Sequence, residues 1–208
     1  MNKYLTELIG TFFLVLTITI TISTGSNFSA LGIGSILMVM VYMGGHISGA
    51  HYNPAVTLGV LMRGKIETGE AIKYMVAQVA GGLLGALGTG WLHNTAWAPA
   101  PTYVGVAPAL VAEMIFTFAH VLVVLNTTTV DETKGNSYYG LAIGFTLMAG
   151  VIAVGRMGSG VFNPAVGLST TIVNVVFSEG SFGNIWIYLV GPFVGGALAA
   201  VVFKVQHS

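Results

Sequence analysis

The chain has 208 residues and carries seven basic and seven acidic side chains, for a formal net charge of zero. Hydrophobic residues make up 54% and charged residues only 7%, against about a quarter charged in soluble domains, so this surface has too little charge to face water. The zero balance argues against nucleic acid or any strongly charged partner, and the absence of cysteine removes disulfides, thiolate metal sites and cysteine nucleophiles.

A bilayer-spanning helix needs roughly 20 mostly apolar residues. Six stretches meet that measure, at 4–24, 29–44, 70–91, 106–128, 138–155 and 182–204. The first has no convincing small-residue cleavage site after it, so it is expected to stay as a helix and to serve as the targeting signal. Two further apolar runs, 53–61 and 163–173, are too short to cross. At about 1.5 Å per residue each reaches only part of the hydrocarbon thickness. The predicted fold class is therefore an all-α membrane protein, six transmembrane helices plus two half-membrane re-entrant helices.

Each short run opens on the same tripeptide, Asn53-Pro54-Ala55 and Asn163-Pro164-Ala165. Asn is a favoured helix N-cap, and Pro a favoured first helical residue, where its missing N–H costs nothing. Gly- or Pro-interrupted short segments at matching places in two halves point to broken helices at a binding or conduction site. The two helix starts are expected to face each other at mid-membrane, each carrying roughly +0.5 of a charge from its macrodipole. The amides of Asn53 and Asn163 would then donate to a passing oxygen and break a proton-conducting chain of waters.

The halves match elsewhere too. Glu7-Leu8-Ile9-Gly10-Thr11 recurs as Glu113-Met114-Ile115-Phe116-Thr117, and Tyr74 through Gly81-Gly82 recurs as Tyr188 through Gly195-Gly196. Three spans per half invert the second copy, giving one channel domain built of inverted repeats at approximately 1–100 and 101–208. An even number of spans puts both termini on one side. Lys3, Arg63, Lys65, Lys73, Lys134 and Lys204 then share that side and Arg156 stands opposite, which predicts cytoplasmic termini in a cell (plasma or inner) membrane.

These features, with Gly45-His46-Ile47-Ser48-Gly49-Ala50-His51 ahead of the first tripeptide, resemble the aquaporin (major intrinsic protein) family over essentially the whole chain. The resemblance implies a right-handed six-helix bundle, a homotetramer with one pore per subunit, and passive conduction of water. Its partners would be the lipid bilayer, water and small neutral solutes, with no cofactor, no metal and no enzymatic activity. It also implies that carbonyls of Gly49, Ala50, His51, Ser159, Gly160 and Val161 line one pore wall. Irregular backbone at membrane depth survives only where it lines a cavity or is buried in protein, which suits both segments.

Glu7 and Glu113 are carboxylates within apolar spans, a placement that ordinarily flags function. A proton relay is one reading; anchoring the N–H groups of the dipping loops is the one preferred. His46 and His51 are expected to be pore-loop residues with structural bonds, and His120 a hydrogen-bonded interior residue. Gly81/Gly85, Gly140/Gly144 and Gly191/Gly195 have the small-xxx-small spacing that lets helices cross closely.

Selectivity is where the chain departs from its relatives. Many aquaporins place Arg after the second tripeptide; here the residue is Val166. Transfer of the other constriction positions by the resemblance gives Ile33, Val151 and Gly160, without the aromatic and His of water-strict members. Gly167 stands where glycerol facilitators have Asp. The expected filter is wide and apolar, passing water with glycerol, urea, ammonia and hydrogen peroxide as candidate solutes. Arg156, seven residues before Asn163, is a candidate to supply the missing guanidinium from the vestibule. A strictly water-selective aquaporin and a secondary transporter are the competing readings; the latter lacks a clustered acidic or His coupling site.

Overall fold

The computed structural model describes every residue except Tyr103, Ser159 and Ser208. Eight α-helices are found among the described residues: α1 (Asn2–Ser23), α2 (Ser29–Ser48), α3 (Pro54–Met62), α4 (Thr68–His93), α5 (Val106–Thr128), α6 (Tyr139–Val154), α7 (Pro164–Phe177) and α8 (Ile187–Gln206). All but α3 and α7 are long and apolar enough to cross a membrane, α6 with its 3-10 continuation to Met157, so six spans and two short helices stand as expected. Helix satisfies every backbone group within its own segment, the requirement hydrocarbon imposes.

Several boundaries differ from the sequence reading, each for a local reason. Helix α2 runs to Ser48 rather than 44, and stops at Gly49, whose φ of 86° is left-handed and whose N–H returns to the carbonyl of Gly45. His46 therefore sits in the last turn of a helix and is exposed, not in the pore loop. Helix α7 extends to Phe177, beyond 173, and α8 begins at Ile187 rather than 182. The 178–186 segment is a chain of turns carrying Glu179 at φ 53° and two glycines, which no continuous helix accommodates.

Glycines set the crossings. Helix α1 packs on α4 and α5 on α8, the same pair in each repeat. A Cβ on Gly81 would collide with the carbonyl of Leu8, and one on Gly85 would sit 2.6 Å from the carbonyl of Phe12. In the second half a Cβ on Gly191 would lie 2.7 Å from Glu113 Cβ, and one on Gly195 would strike the carbonyl of Met114. Helices α2 and α6 meet through Gly34 and Gly144, each against the other's carbonyl at 2.8 and 2.5 Å from the ideal Cβ position. Gly140 meets the Tyr42 ring instead. Close backbone approach of this kind is how helices associate where lipid offers no hydrophobic drive.

The repeats are interlocked by their short helices. Gly82 of α4 leaves room for the Ala165 carbonyl of α7, and Gly196 of α8 leaves room for the Ala55 carbonyl of α3. Polarity runs opposite to that of a soluble protein: Glu7, Gln78, Glu113 and Thr117 are wholly buried, while Leu5, Val76, Phe145 and Ile152 are exposed on the outside. Lys3, Lys65 and Lys134 gather around one cavity at one end of the bundle, with Thr127 at the foot of α5. Arg156 is at the other end, its carbonyl accepting from Thr102 just before α5 begins.

Replacing Gly195 by Val should cost on the order of 1–3 kcal/mol through overpacking and lower the unfolding temperature in detergent. Gly69→Ala, at a helical position with open space around it, should leave that temperature unchanged or raised.

Candidate pore site

Two asparagines tie the halves together. Asn53 caps α3, its Oδ1 accepting from the N–H of Ala55 at 2.8 Å, and its Nδ2 donates to the carbonyl of Phe162 at 2.8 Å. Asn163 repeats the pattern, accepting from Ala165 at 3.0 Å and donating to the carbonyl of Tyr52 at 2.9 Å. Each amide thus binds the residue directly before the other asparagine, and the two helix starts meet end to end. One of the two amide hydrogens is used in this exchange; the second remains for a molecule between them.

The loops that deliver these caps are bent by left-handed residues. Ala50, Tyr52 and Phe162 have φ of 53°, 50° and 50°, a conformation uncommon for side chains with Cβ and costing about 1–3 kcal/mol each. Two buried carboxylates hold them there. Glu7 Oε1 accepts from Ser48 Oγ at 2.7 Å and the His51 N–H at 3.0 Å, and its Oε2 from the Tyr52 N–H at 2.7 Å and Gln78 Nε2 at 2.8 Å. Glu113 Oε1 accepts from the N–H groups of Gly160 and Val161 at 2.8 and 3.0 Å, and Oε2 from Phe162 at 2.7 Å. Tyr74 and Tyr188 add a matching pair of struts, their hydroxyls donating to the carbonyls of Ser48 at 2.8 Å and Gly158 at 2.5 Å.

Of the predicted wall residues, Gly49 and His51 line the cavity of about 920 Å³ at the lysine-rich end. Ala50 and Val161 are buried, and Ser159 lies outside the described residues. His51 is fixed, its Nδ1 3.1 Å from Thr57 Oγ1, whereas exposed His46 lines the same cavity. His120 is buried at 3% exposure, yet its Nδ1 has no hydrogen-bond partner, contrary to the expectation of a bonded interior residue.

The four predicted constriction positions are split in character. Gly160, at φ 101°, lies against Val151, whose Cα is 3.6 Å from its ideal Cβ position. Ile33 precedes Gly34, which packs on Met148 one turn before Val151, so Ile33 and Val151 occupy adjoining turns of crossing helices. Val166 is the third residue of α7; it and Ile33 are closed over, at 0% and 2% exposure. A Cβ on Gly167 would meet Tyr188 Cβ at 2.6 Å, so no Asp side chain fits there without moving α8. Arg156 is exposed on a 3-10 turn at Gly155–Met157. That turn is held by backbone, Thr102 N–H donating to the Met157 carbonyl at 3.1 Å, and no ion pair of Arg156 is present among the described residues.

Sequence reasoning gave no role to Ser48, Gln78, Tyr74, Tyr188 or Thr57. Gln78 was detectable as an uncharged polar residue in mid-span, and the two tyrosines as first members of a repeated segment.

The chain matches the family model described as "Major intrinsic protein" over residues 1–203. It is 34% identical to "Glycerol uptake facilitator protein-like 6" of Lactiplantibacillus plantarum, over 100% of this chain and 99% of that one. It is 33% identical to "Aquaporin NIP1-1" of Zea mays, over 98% of this chain and 74% of that one. The X-ray structure of the aquaglyceroporin from Plasmodium falciparum shares the fold, with a TM-score of 0.83 at 22% identity, covering 98% of this chain and 95% of that one. These similarities and the paired Asn-Pro-Ala helices place the chain in the major intrinsic protein family: it is a multi-pass membrane channel protein and not an enzyme.

Because Glu7 receives four donors, two of them backbone N–H groups on different oxygens that can only donate, Glu7→Gln sets an amide NH2 against one such donor. A loss on the order of 1–3 kcal/mol is expected, read as a lower unfolding temperature in detergent, together with reduced osmotic flux in proteoliposomes.

Proposed function

We propose that this chain conducts water and small uncharged solutes, with glycerol, urea, ammonia and hydrogen peroxide the candidates, and turns back ions and protons. The reciprocal Asn53–Phe162 and Asn163–Tyr52 bonds carry this reading, because they bring two positive helix ends to one point. A cation there meets like potential with little water to screen it. A neutral water accepts the free amide hydrogens through its oxygen, so both its own hydrogens point outward. A proton-conducting chain would need neighbouring waters to align in one direction through that point.

The solute range follows from the mouth. Ile33, Val151, Gly160 and Val166 offer no charge and no side-chain donor, so discrimination there rests on size. The same four residues favour a second reading, since Ile33 and Val166 are closed over and a narrower passage would admit water only. Arg156 is proposed to lend its guanidinium to the mouth from the turn anchored at Thr102. Glu7 and Glu113 serve as scaffold rather than proton relay, their oxygens being occupied by loop donors. A homotetramer in the cell membrane, with cytoplasmic termini at the lysine-lined end, completes the proposal.

Stopped-flow light scattering on proteoliposomes separates the readings. Under a glycerol gradient, shrinkage followed by swelling supports the broad filter, and shrinkage without recovery means water alone. Val166→Arg should slow the glycerol recovery; undiminished entry in that variant would contradict the constriction assignment. Arg156→Ala should admit larger solutes with water flux retained. Mercurial reagents should not inhibit, since the chain has no cysteine to react.

A further inference from the structure

Helix α5 carries one stripe whose two ends have known surroundings. Glu113 holds the loop before Asn163, and Thr127 lines the lysine-rich cavity. His120 lies midway, seven residues from each. Seven residues advance about 10.5 Å along a helix and return to the same face within about 20°. His120 consequently faces the same way as both neighbours, below the asparagine pair and above the cavity. Val121, a third of a turn away, packs on α3 at Gly59, and the upper end of the stripe, Glu113, packs under Gly191 of α8, so the stripe is free of α8 only below that crossing.

A fully enclosed polar nitrogen ordinarily has a partner, and His120 Nδ1 has none among the described residues. The side chain is 97% buried by the 3% exposure it retains, which rules out bulk solvent as the routine partner. Its repeat-mate, seven residues after Glu7, is Leu14, apolar and equally buried. The same position in the two halves thus tolerates a side chain with no hydrogen-bonding group, and packing alone does not require an imidazole at 120.

Resting on the channel reading above, we propose that His120 is a hydrogen-bonding station in the wall of the lysine-side half of the pore, binding uncharged solutes that bear N–H or O–H groups as they pass. A solute entering a single-file passage gives up water partners. The asparagine pair replaces some of them at the midpoint, and the carbonyls replace others on one wall. His120 supplies one more on α5, after the midpoint, its imidazole accepting or donating according to tautomer. The benefit is greatest for a solute with many hydrogen-bonding groups, so His120 raises urea conduction relative to water.

The test uses the full-length protein in proteoliposomes, with urea as probe and the urea-to-water permeability ratio as readout. His120→Leu, which copies Leu14, should lower that ratio by about three- to tenfold, the equivalent of one lost hydrogen bond. His120→Asn, which keeps a donor and an acceptor, should restore most of it. A leucine variant with the wild-type ratio overturns the proposal. A second measurement needs no folded leucine variant: the 15N resonance of the His120 ring in the wild-type protein, assigned by its absence in His120→Asn, should shift when urea is added. No shift at saturating urea also overturns it. Wild-type vesicles no more permeable than empty ones would instead overturn the channel reading, and this inference with it.

Discussion

The reciprocal hydrogen bonds from the amides of Asn53 and Asn163 to the carbonyls of Phe162 and Tyr52 are the constraint on which the rest of the molecule depends. Each half-helix is too short to cross a bilayer and, with Pro at its first position, would leave three N–H groups at its start without partners. Meeting tip to tip, each receives a cap from its own asparagine and a bond from the opposite one. The exchange also needs both loops at once. Tyr52 and Phe162 must offer carbonyls from left-handed conformations, and the carboxylates of Glu7 and Glu113 offset that strain from behind. Removing either side leaves the other without its partner.

The same arrangement explains why buried ionisable groups are tolerated. A lone carboxylate in an apolar span is expensive. Here four donors surround Glu7, and three backbone N–H groups converge on Glu113. The loop backbone would otherwise be unsatisfied at membrane depth, so carboxylate and loop solve each other's desolvation problem. Glycines at the helix crossings serve the same end. Gly82 and Gly196 admit the carbonyls of Ala165 and Ala55 and so let α4 and α8 grip the half-helix of the opposite repeat.

In the proposed function the mouth obeys different physics from the midpoint. At the midpoint two positive helix ends meet, and the proposed function assigns discrimination by charge to them. Ile33, Val151, Gly160 and Val166, the proposed constriction, carry no charged or hydrogen-bonding side chain, and the proposed function assigns their discrimination to shape. Gly167 shows how closely the surroundings are drawn, since Tyr188 occupies the space an Asp would need. The departure from glycerol-facilitator sequence at 167 is thus coupled to the position of α8.

Much of this was legible in the residues themselves. The span count, the two short helices and their caps all follow from apolar run length and Pro placement, which are local properties of a chain in hydrocarbon. Helix ends were less legible: α2 runs on through His46 because left-handed Gly49, not the weakly polar 44–48 stretch, sets its end. The partners of Glu7 could not be read from the chain, because Ser48, Tyr52 and Gln78 reach it across as many as 71 residues. Nor could the open nitrogen of His120, since satisfaction of a buried group depends on neighbours from other helices. Sequence alone determined which segments enter the membrane and where each half-helix starts. Only the tertiary structure decided which carbonyl each asparagine takes and which polar groups stay unpaired, because those bonds join residues that only the closing of two distant repeats brings within reach.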